Sequence, residues 1–231
     1  MDYQIKKSSP LSNFFKNIHS LFKAYSSLNI KININYCIIE NVDTMKYDDR
    51  KNRCFWCNPE NELYIKYHDE EWGILNLDDD YLFEMLILES FQAGLSWETI
   101  LNKRENFRKA FDGFDLDKIS EYDDEKIEEL KNNKGIIRNT LKINAAINNA
   151  RIYKQIQEEY GSFHEYLMTF TGEKIIYEND KTTSPLGDSI SKDLKKKGMK
   201  FVGPTIIYSY LQAIGIINSH MDNCFLYDKG D

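Results

Sequence analysis

No apolar run in this 231-residue chain approaches the roughly 20 residues that a membrane-crossing helix needs, which argues against a helical membrane protein. Proline is scarce, and no Pro-, Gly- or Ser-rich linker divides the chain, so one good-sized domain is expected rather than two. The four cysteines are too few for a disulfide scaffold, and no secretory signal precedes them. Their thiols are therefore expected to be free or metal-bound in a reducing, cytoplasmic setting. A net charge of −7 excludes indiscriminate binding to a polyanion, so any nucleic-acid contact must come from a local basic patch. No repeat of fixed period is visible, and after residue 45 almost nothing alternates as a strand would. The expected fold class is all-α, and a monomer.

Residues 1–44 differ from the rest. They carry Lys6, Lys7, Lys16, Lys23 and Lys31 against Asp2, Glu40 and Asp43, with asparagines throughout. Ile30, Ile32 and Ile34 alternate with Lys31, Asn33 and Asn35 as in a strand, but the composition favours a weakly ordered extension. A basic, Ser-containing start also fits an organelle-targeting peptide, which Asp2 and the asparagines weaken, and Met45 is an alternative start. The expected location is the cytoplasm, with an organelle or the nucleus as the alternatives for a eukaryotic source. The expected division is an extension over 1–50 and a folded domain over 51–231.

From Asp78 the pattern turns helical. Asp78, Asp79 and Asp80 suit a helix start, and the apolar residues Leu82 to Leu88 lead to a stop at Gly94. Ser96 is placed to cap a second helix through Ile100, Leu101, Phe107, Ala110 and Phe111, with Lys103, Arg104, Arg108 and Lys109 on its outer face. A shorter helix follows Asp123 and Asp124 and ends in the polar segment 131–134. Asn139 is placed to cap a long helix that runs to Gly161. A short helix over 163–170, a loop over 172–187 and a helix over 189–197 follow, and the last helix starts at Gly203-Pro204 and stops near Gly215.

Four groups of residues stand out chemically. Cys54, Cys57 and His68 near one end of the domain, with His220 and Cys224 near the other, are the donors that tetrahedral zinc prefers. Four protein ligands leave no open position for a reactive water, so such a site would be structural. Cys57 and Cys54 are both candidates by spacing, and a buried thiol also serves as a small hydrophobe. Second, Glu89 shares a helix face with Leu82, Met85 and Leu86, where a carboxylate is costly unless paired. A structural ion pair or a cap for the next helix would account for it. So would a flat, cationic ligand, because Tyr64, Tyr67, Trp72 and Trp97 supply aromatic faces nearby in sequence. Third, the Lys134-Gly135-Ile136-Ile137-Arg138-Asn139 turn between two helices has the form of a helix-hairpin-helix, which offers backbone N–H groups to a phosphate. Fourth, residues 191–200 hold five lysines against one aspartate, including Lys195, Lys196 and Lys197, a plausible phosphate-facing edge.

Taken together, these segments resemble a known family. Arg53-Cys54, Tyr64 through Gly73, Leu82-Phe83-Glu84-Met85, Gln92-Ala93-Gly94-Leu95-Ser96-Trp97, Lys103-Arg104-Glu105-Asn106-Phe107, Gly135-Ile136-Ile137-Arg138, Lys200 through Thr205 and Gly215 through His220 follow one another as in the DNA-3-methyladenine glycosylase I family. That family belongs to the helix-hairpin-helix glycosylase superfamily. The resemblance implies a monofunctional enzyme, with no lyase activity, that excises 3-methyladenine from alkylated double-stranded DNA. It implies one structural zinc on Cys54, His68, His220 and Cys224, with Cys57 in reserve. It also implies Glu89 as the base-contacting carboxylate, Tyr64, Tyr67, Trp72 and Trp97 as pocket aromatics, and DNA-backbone contacts at Gly135, Ile137, Arg138, Lys195, Lys196 and Lys197. Ser90 and Phe91 depart from the family's pattern beside Glu89. The family lacks the aspartate that its superfamily relatives carry after the hairpin, and Asn148 or Asn149 would not replace it. The alternatives are a non-catalytic, zinc-stabilised helical module that binds DNA or protein, a zinc hydrolase, or a glycosylase for another alkylated purine.

Overall fold

In a computed structural model of the chain, residues 51–228 and 230 are described. The strand reading over Ile30–Ile34 and the other expectations for residues 1–50 lie outside them. The described part is helical, as expected: ten α-helices, one short 3-10 turn at Asp112–Phe114 and a two-stranded sheet of minimal length.

The centre of the core is α2 (Asp79–Gln92). Asp78 caps it by accepting from the Tyr81 amide at 3.0 Å, and every residue from Leu82 to Phe91 is buried. A helix apolar on all sides must be covered on all sides. Around it pack α3 (Trp97–Leu101), α7 (Thr140–Tyr160), α8 (Phe163–Thr171) and α10 (Pro204–Ala213). Asp79 serves twice, since its carboxylate also accepts from the Phe163 and His164 amides at the start of α8. Asn139 caps α7 through the Lys142 amide, and Gly161 ends that helix with φ of +92°.

Several elements differ from the sequence reading. Before α2 lies α1 (Glu62–Glu70), capped by Asn61, a nine-residue helix that weak periodicity concealed. The single helix expected from Ser96 to Phe111 is two, α3 and α4 (Arg104–Ala110), broken at Asn102–Lys103. Arg104 consequently does not lie on an outer face: it is buried between Glu71 (2.7 Å) and Glu84 (2.5 Å). A short α5 (Leu116–Ser120) precedes α6 (Asp124–Asn132). α9 (Pro185–Lys196) begins earlier than expected, because Ser184 caps it and Pro185 occupies its first turn.

The loop expected over 172–187 contains β1 (Ile176–Tyr177), which pairs in parallel with β2 (Ile217–Asn218), Ile176 opposite Ile217. This small pairing fixes two exits side by side, one leading into Asn179–Thr182 and the other into Ser219–His220. Gly215, at φ +77°, lets the segment 73–76 run against the end of α10. A Cβ there would lie 2.2 Å from the Ile74 carbonyl carbon. Gly73 and Asn76 amides donate across this contact to Gln212 and Ile214.

Candidate functional site

The exits from α1, α2 and β2 converge on a cavity of about 420 Å³. Tyr64, Tyr67, Trp72 and Trp97, all named from sequence, line it together with Glu89, Gln92, Gln212, Ser219 and the Asn179–Thr182 rim. Tyr67 and Trp97 lie 5.2 Å apart between ring centroids. Trp56 completes the wall, edge-on to Trp72 at 4.7 Å and tilted against Tyr64 at 5.5 Å. Sequence reasoning missed Trp56, although its place two residues after Cys54 was a usable signal.

Glu89 reaches this cavity from the C-terminal half of α2. It is 3 % exposed, and its Oε2 has no hydrogen-bond partner among the described residues. Neither structural account of Glu89 holds among the described residues: none of them pairs with it as an ion, and the cap of α3 is Ser96, which accepts from the Thr99 amide at 3.2 Å. With no compensating charge, burial alone pushes its carboxyl up to about 8. The side chain is therefore largely neutral in the empty pocket at neutral pH, and a bound cation would favour its ionised form. Desolvation likewise pushes the hydroxyls of Tyr64, to about 12, and Tyr67 upward.

The two departures beside Glu89 have structural roles. Ser90 donates to the carbonyls of Leu86 (2.8 Å) and Phe201 (3.1 Å), and Phe91 packs against Phe107 at 4.8 Å. Behind them, the buried Lys142 ammonium donates to the Phe91 and Ala93 carbonyls at 2.7 and 2.6 Å, closing the C-terminal end of α2. Asn149 grips the backbone of Lys200 from both sides, and Asn148 donates to the Gly198 carbonyl. Both asparagines are thus committed to loop backbone.

A second cluster shares a wall with the pocket. The ligand atoms of Cys54, His68, His220 and Cys224 all lie within 4.8 Å of one another, every residue buried, and the group could hold a metal ion. Cys57 is buried nearby, outside that set. The histidine roles follow from their other nitrogens. His68 Nδ1 pairs with Asp69 at 2.8 Å and His220 Nε2 with the Trp72 carbonyl at 3.3 Å, which turns Nε2 and Nδ1 inward respectively. Burial lowers both imidazole pKa values, His220 to about 4, so both rings are neutral, as a metal ligand must be. It pushes the Cys54 thiol up to about 12 and Cys57 to about 11 in the absence of a cation.

A short turn joins α6 to α7, and its glycine has a different place from that expected. Gly135 needs no left-handed backbone; a Cβ would crowd Asn133 at 3.0 Å and Asn106 at 3.2 Å. Its amide donates to Asn133 Oδ1 at 2.8 Å, while the Ile137 and Arg138 amides make no bond with the described residues, and Arg138 is exposed. Lys103 steadies the turn by donating to the Gly135 carbonyl. In the lysine run, Lys195 and Lys196 are exposed, whereas Lys197 is paired with Glu159 at 2.8 Å and lies over the Tyr160 ring.

The described residues thus form a helical protein with a buried carboxylate in an aromatic pocket, beside a Cys and His cluster that could hold a metal ion. The methyladenine glycosylase family model matches residues 56–227. The chain is 43 % identical over 181 residues to DNA-3-methyladenine glycosylase 1 of Escherichia coli (strain K12), covering 76 % of this chain and 96 % of that protein. A crystal structure of 3-methyladenine DNA glycosylase I matches with a TM-score of 0.74 at 42 % identity, over 77 % of this chain and all of the other. A structure of 3-methyladenine recognition by the Staphylococcus aureus enzyme matches with a TM-score of 0.71 at 34 % identity, over 74 % and 95 % of the two chains. The chain belongs to the methyladenine glycosylase family.

Proposed function

We propose that the protein is a DNA-3-methyladenine glycosylase, a repair enzyme that hydrolyses the N-glycosidic bond of 3-methyladenine in alkylated double-stranded DNA. The observation that carries this reading is the buried Glu89 carboxylate, whose Oε2 has no partner among the described residues, in a pocket walled by Tyr64, Tyr67, Trp72 and Trp97. Methylation at N3 gives adenine a fixed positive charge. Aromatic faces attract that charge, and a buried carboxylate accepts hydrogen bonds from the exocyclic amine and ring edge. Unmodified adenine, being neutral, leaves Glu89 without the partner that favours its ionised form.

The nucleotide enters the pocket by leaving the duplex stack. Water adds to the sugar C1′, the bonding pair departs with the base nitrogen, the base becomes neutral, and a proton from the water passes to solvent. Because departure discharges the base, little acid catalysis is needed, and Glu89 acts by binding. Lys181, the one lysine of the pocket lining, is paired with Glu178 at the rim, and Lys142 is held by backbone carbonyls. Neither is a nucleophile, which fits a monofunctional enzyme without lyase activity.

Zinc suits the Cys54, His68, His220 and Cys224 cluster. Bond lengths of about 2.3 Å to sulfur and about 2.0 Å to nitrogen in a tetrahedron put S and N roughly 3.5 Å apart. The Cys224 Sγ lies 3.5 Å from both His68 Nε2 and His220 Nδ1, and Cys54 Sγ is 3.6 Å from the latter. When bound, zinc would be structural, with no open position for a hydrolytic water. The α6–α7 turn is read as a helix-hairpin-helix that meets DNA phosphates through the Ile137 and Arg138 amides, assisted by Arg138, Lys195 and Lys196. Residues 51–231 form the catalytic domain. The test is release of free 3-methyladenine from methylated DNA by purified, folded protein. Absence of any methylated purine in the supernatant would overturn the assignment.

A further inference from the structure

The short segment 53–57 is fixed throughout. Arg53 pairs with Asp69 through two bonds of 2.8 and 2.6 Å. The Cys54 amide donates to His68 Nε2 at 3.2 Å, and the Cys57 amide closes a turn onto the Cys54 carbonyl at 3.0 Å. Cys54 belongs to the metal-ligand cluster, and Trp56 is wedged between Tyr64 and Trp72. Between these two anchored neighbours Phe55 is 84 % exposed, the most of any large apolar side chain described and ahead of Leu141 at 71 %, and it lines the mouth of the Glu89 pocket.

A single exposed apolar residue is ordinary in itself. The position of this one is not: it is an aromatic ring on a segment that cannot move away, at the opening of a cavity whose ligand must be drawn out of a base stack. When a nucleotide leaves a duplex, the base beside it loses a stacking partner. Any base presents a π-face, so an aromatic side chain stacks on it with little regard to sequence. Because the backbone of the segment is already held, the contact forms with small loss of backbone freedom, and only the two side-chain torsions of Phe55 remain to be fixed.

We propose that Phe55 stacks on the nucleobase adjacent to the flipped nucleotide, so that it serves binding of the damaged strand and not recognition of the lesion. This rests on the glycosylase reading of the Glu89 pocket. It adds an aromatic contact at the outer rim of the pocket that takes any of the four bases as its ligand. Phe55 is peripheral to the reacting atoms, and its effect belongs to association with DNA.

Phe55→Ala in the full chain tests the proposal, with Phe55→Trp as its companion. For Phe55→Ala the KM for methylated duplex DNA is expected to rise about tenfold, within the range of base–aromatic stacking, with kcat within twofold of wild type. Affinity for free 3-methyladenine, read from pocket tryptophan fluorescence, and the melting temperature stay unchanged, and Phe55→Trp restores the KM. A duplex carrying a tetrahydrofuran abasic analogue beside 2-aminopurine gives a readout without turnover. Wild type should quench 2-aminopurine at the neighbouring position, and Phe55→Ala should not.

An unchanged KM together with unchanged quenching overturns the proposal. So does an equal loss of free-base affinity, which would put Phe55 in the lesion pocket, or a fall in melting temperature, which would mean that the chain itself covers the ring. Failure of the wild type to release methylated purine would instead overturn the glycosylase reading, while the abasic duplex still decides the role of Phe55.

Discussion

Nδ1 of His220 lies 3.6 Å from Sγ of Cys54, 166 positions earlier in the chain, and the ring of His220 meets Trp72 edge-on at 4.8 Å. A metal ion held by this cluster would therefore close nearly the whole domain into one loop, and the cluster also backs a wall of the Glu89 pocket. Fixing so long a loop removes much of the freedom of the unfolded chain, and binding to a site absent from that chain adds directly to folding free energy. One zinc per chain is expected by elemental analysis. Removing it by chelation, or through Cys224→Ser, should lower the melting temperature by about 10 °C or more, as a loss of roughly 3–5 kcal/mol would. Cys57→Ser should retain the full zinc content, and loss of metal in that variant would return Cys57 to the ligand set.

The Glu89 carboxyl, held near 8 against an ordinary 4.5, makes both stability and activity depend on pH. Between these values the unfolded chain releases the proton while the folded protein keeps it. This group's contribution to stability therefore falls as pH rises through that window and is constant outside it. Binding a permanently cationic base has the opposite dependence, because it favours the ionised form. For wild type, kcat/KM should rise with pH toward 8 and then level off. Glu89→Gln should flatten the profile, reduce kcat/KM about ten- to hundredfold through loss of a charge-assisted hydrogen bond, and keep its fold. A Gln variant as active as wild type would remove Glu89 from lesion recognition.

The sequence made the long-range chemistry more legible than the local geometry. Glu89 was identifiable because an acidic residue on the same face as Leu82, Met85 and Leu86 violates the pattern of its own surroundings. Cys54, Cys57, His68, His220 and Cys224 stood out because Cys and His are uncommon types whose grouping has few meanings, whereas preferring Cys54 to Cys57 rested on the family resemblance. Arg104 was misplaced because its periodicity belonged to a helix that in fact breaks at Asn102–Lys103, and only the three-dimensional meeting of Glu71 and Glu84 shows why a charge is buried there. The β1–β2 pairing was invisible for a different reason: two residues per strand are too few for an alternation to register, yet they align the rim and metal segments.

Arg104 gives a stability prediction of its own. Its guanidinium bridges the Glu71 and Glu84 carboxylates from a largely buried position, and Tyr81 donates to Glu71 in the same group. Arg104→Met preserves length but leaves Glu71 without its cation, while Glu84 keeps Arg108. Breaking a buried pair in this way costs about 3 kcal/mol or more, which at this size lowers the melting temperature by roughly 6–12 °C. The double variant with Glu71→Gln should recover part of that loss. Calorimetry showing additive losses instead would mean that Arg104 contributes through packing alone.

Contact with the DNA backbone should divide the lysine run in two. Arg138, Lys195 and Lys196 are exposed, whereas Lys197 already has Glu159 at 2.8 Å and the Tyr160 ring beneath its ammonium. Each cation that neutralises a phosphate releases counterions and adds about 0.9 to the slope of log affinity against log salt. Removing Arg138, Lys195 or Lys196 singly should raise the KM for methylated duplex and shallow that slope by close to one, with kcat and free-base affinity preserved. Lys197→Ala should leave the slope as it is, since its charge is spent within the protein. Equal slope changes at all four positions would mean that DNA displaces Glu159 from Lys197 on binding, and no change at any of them would move the phosphate grip elsewhere on this acidic chain.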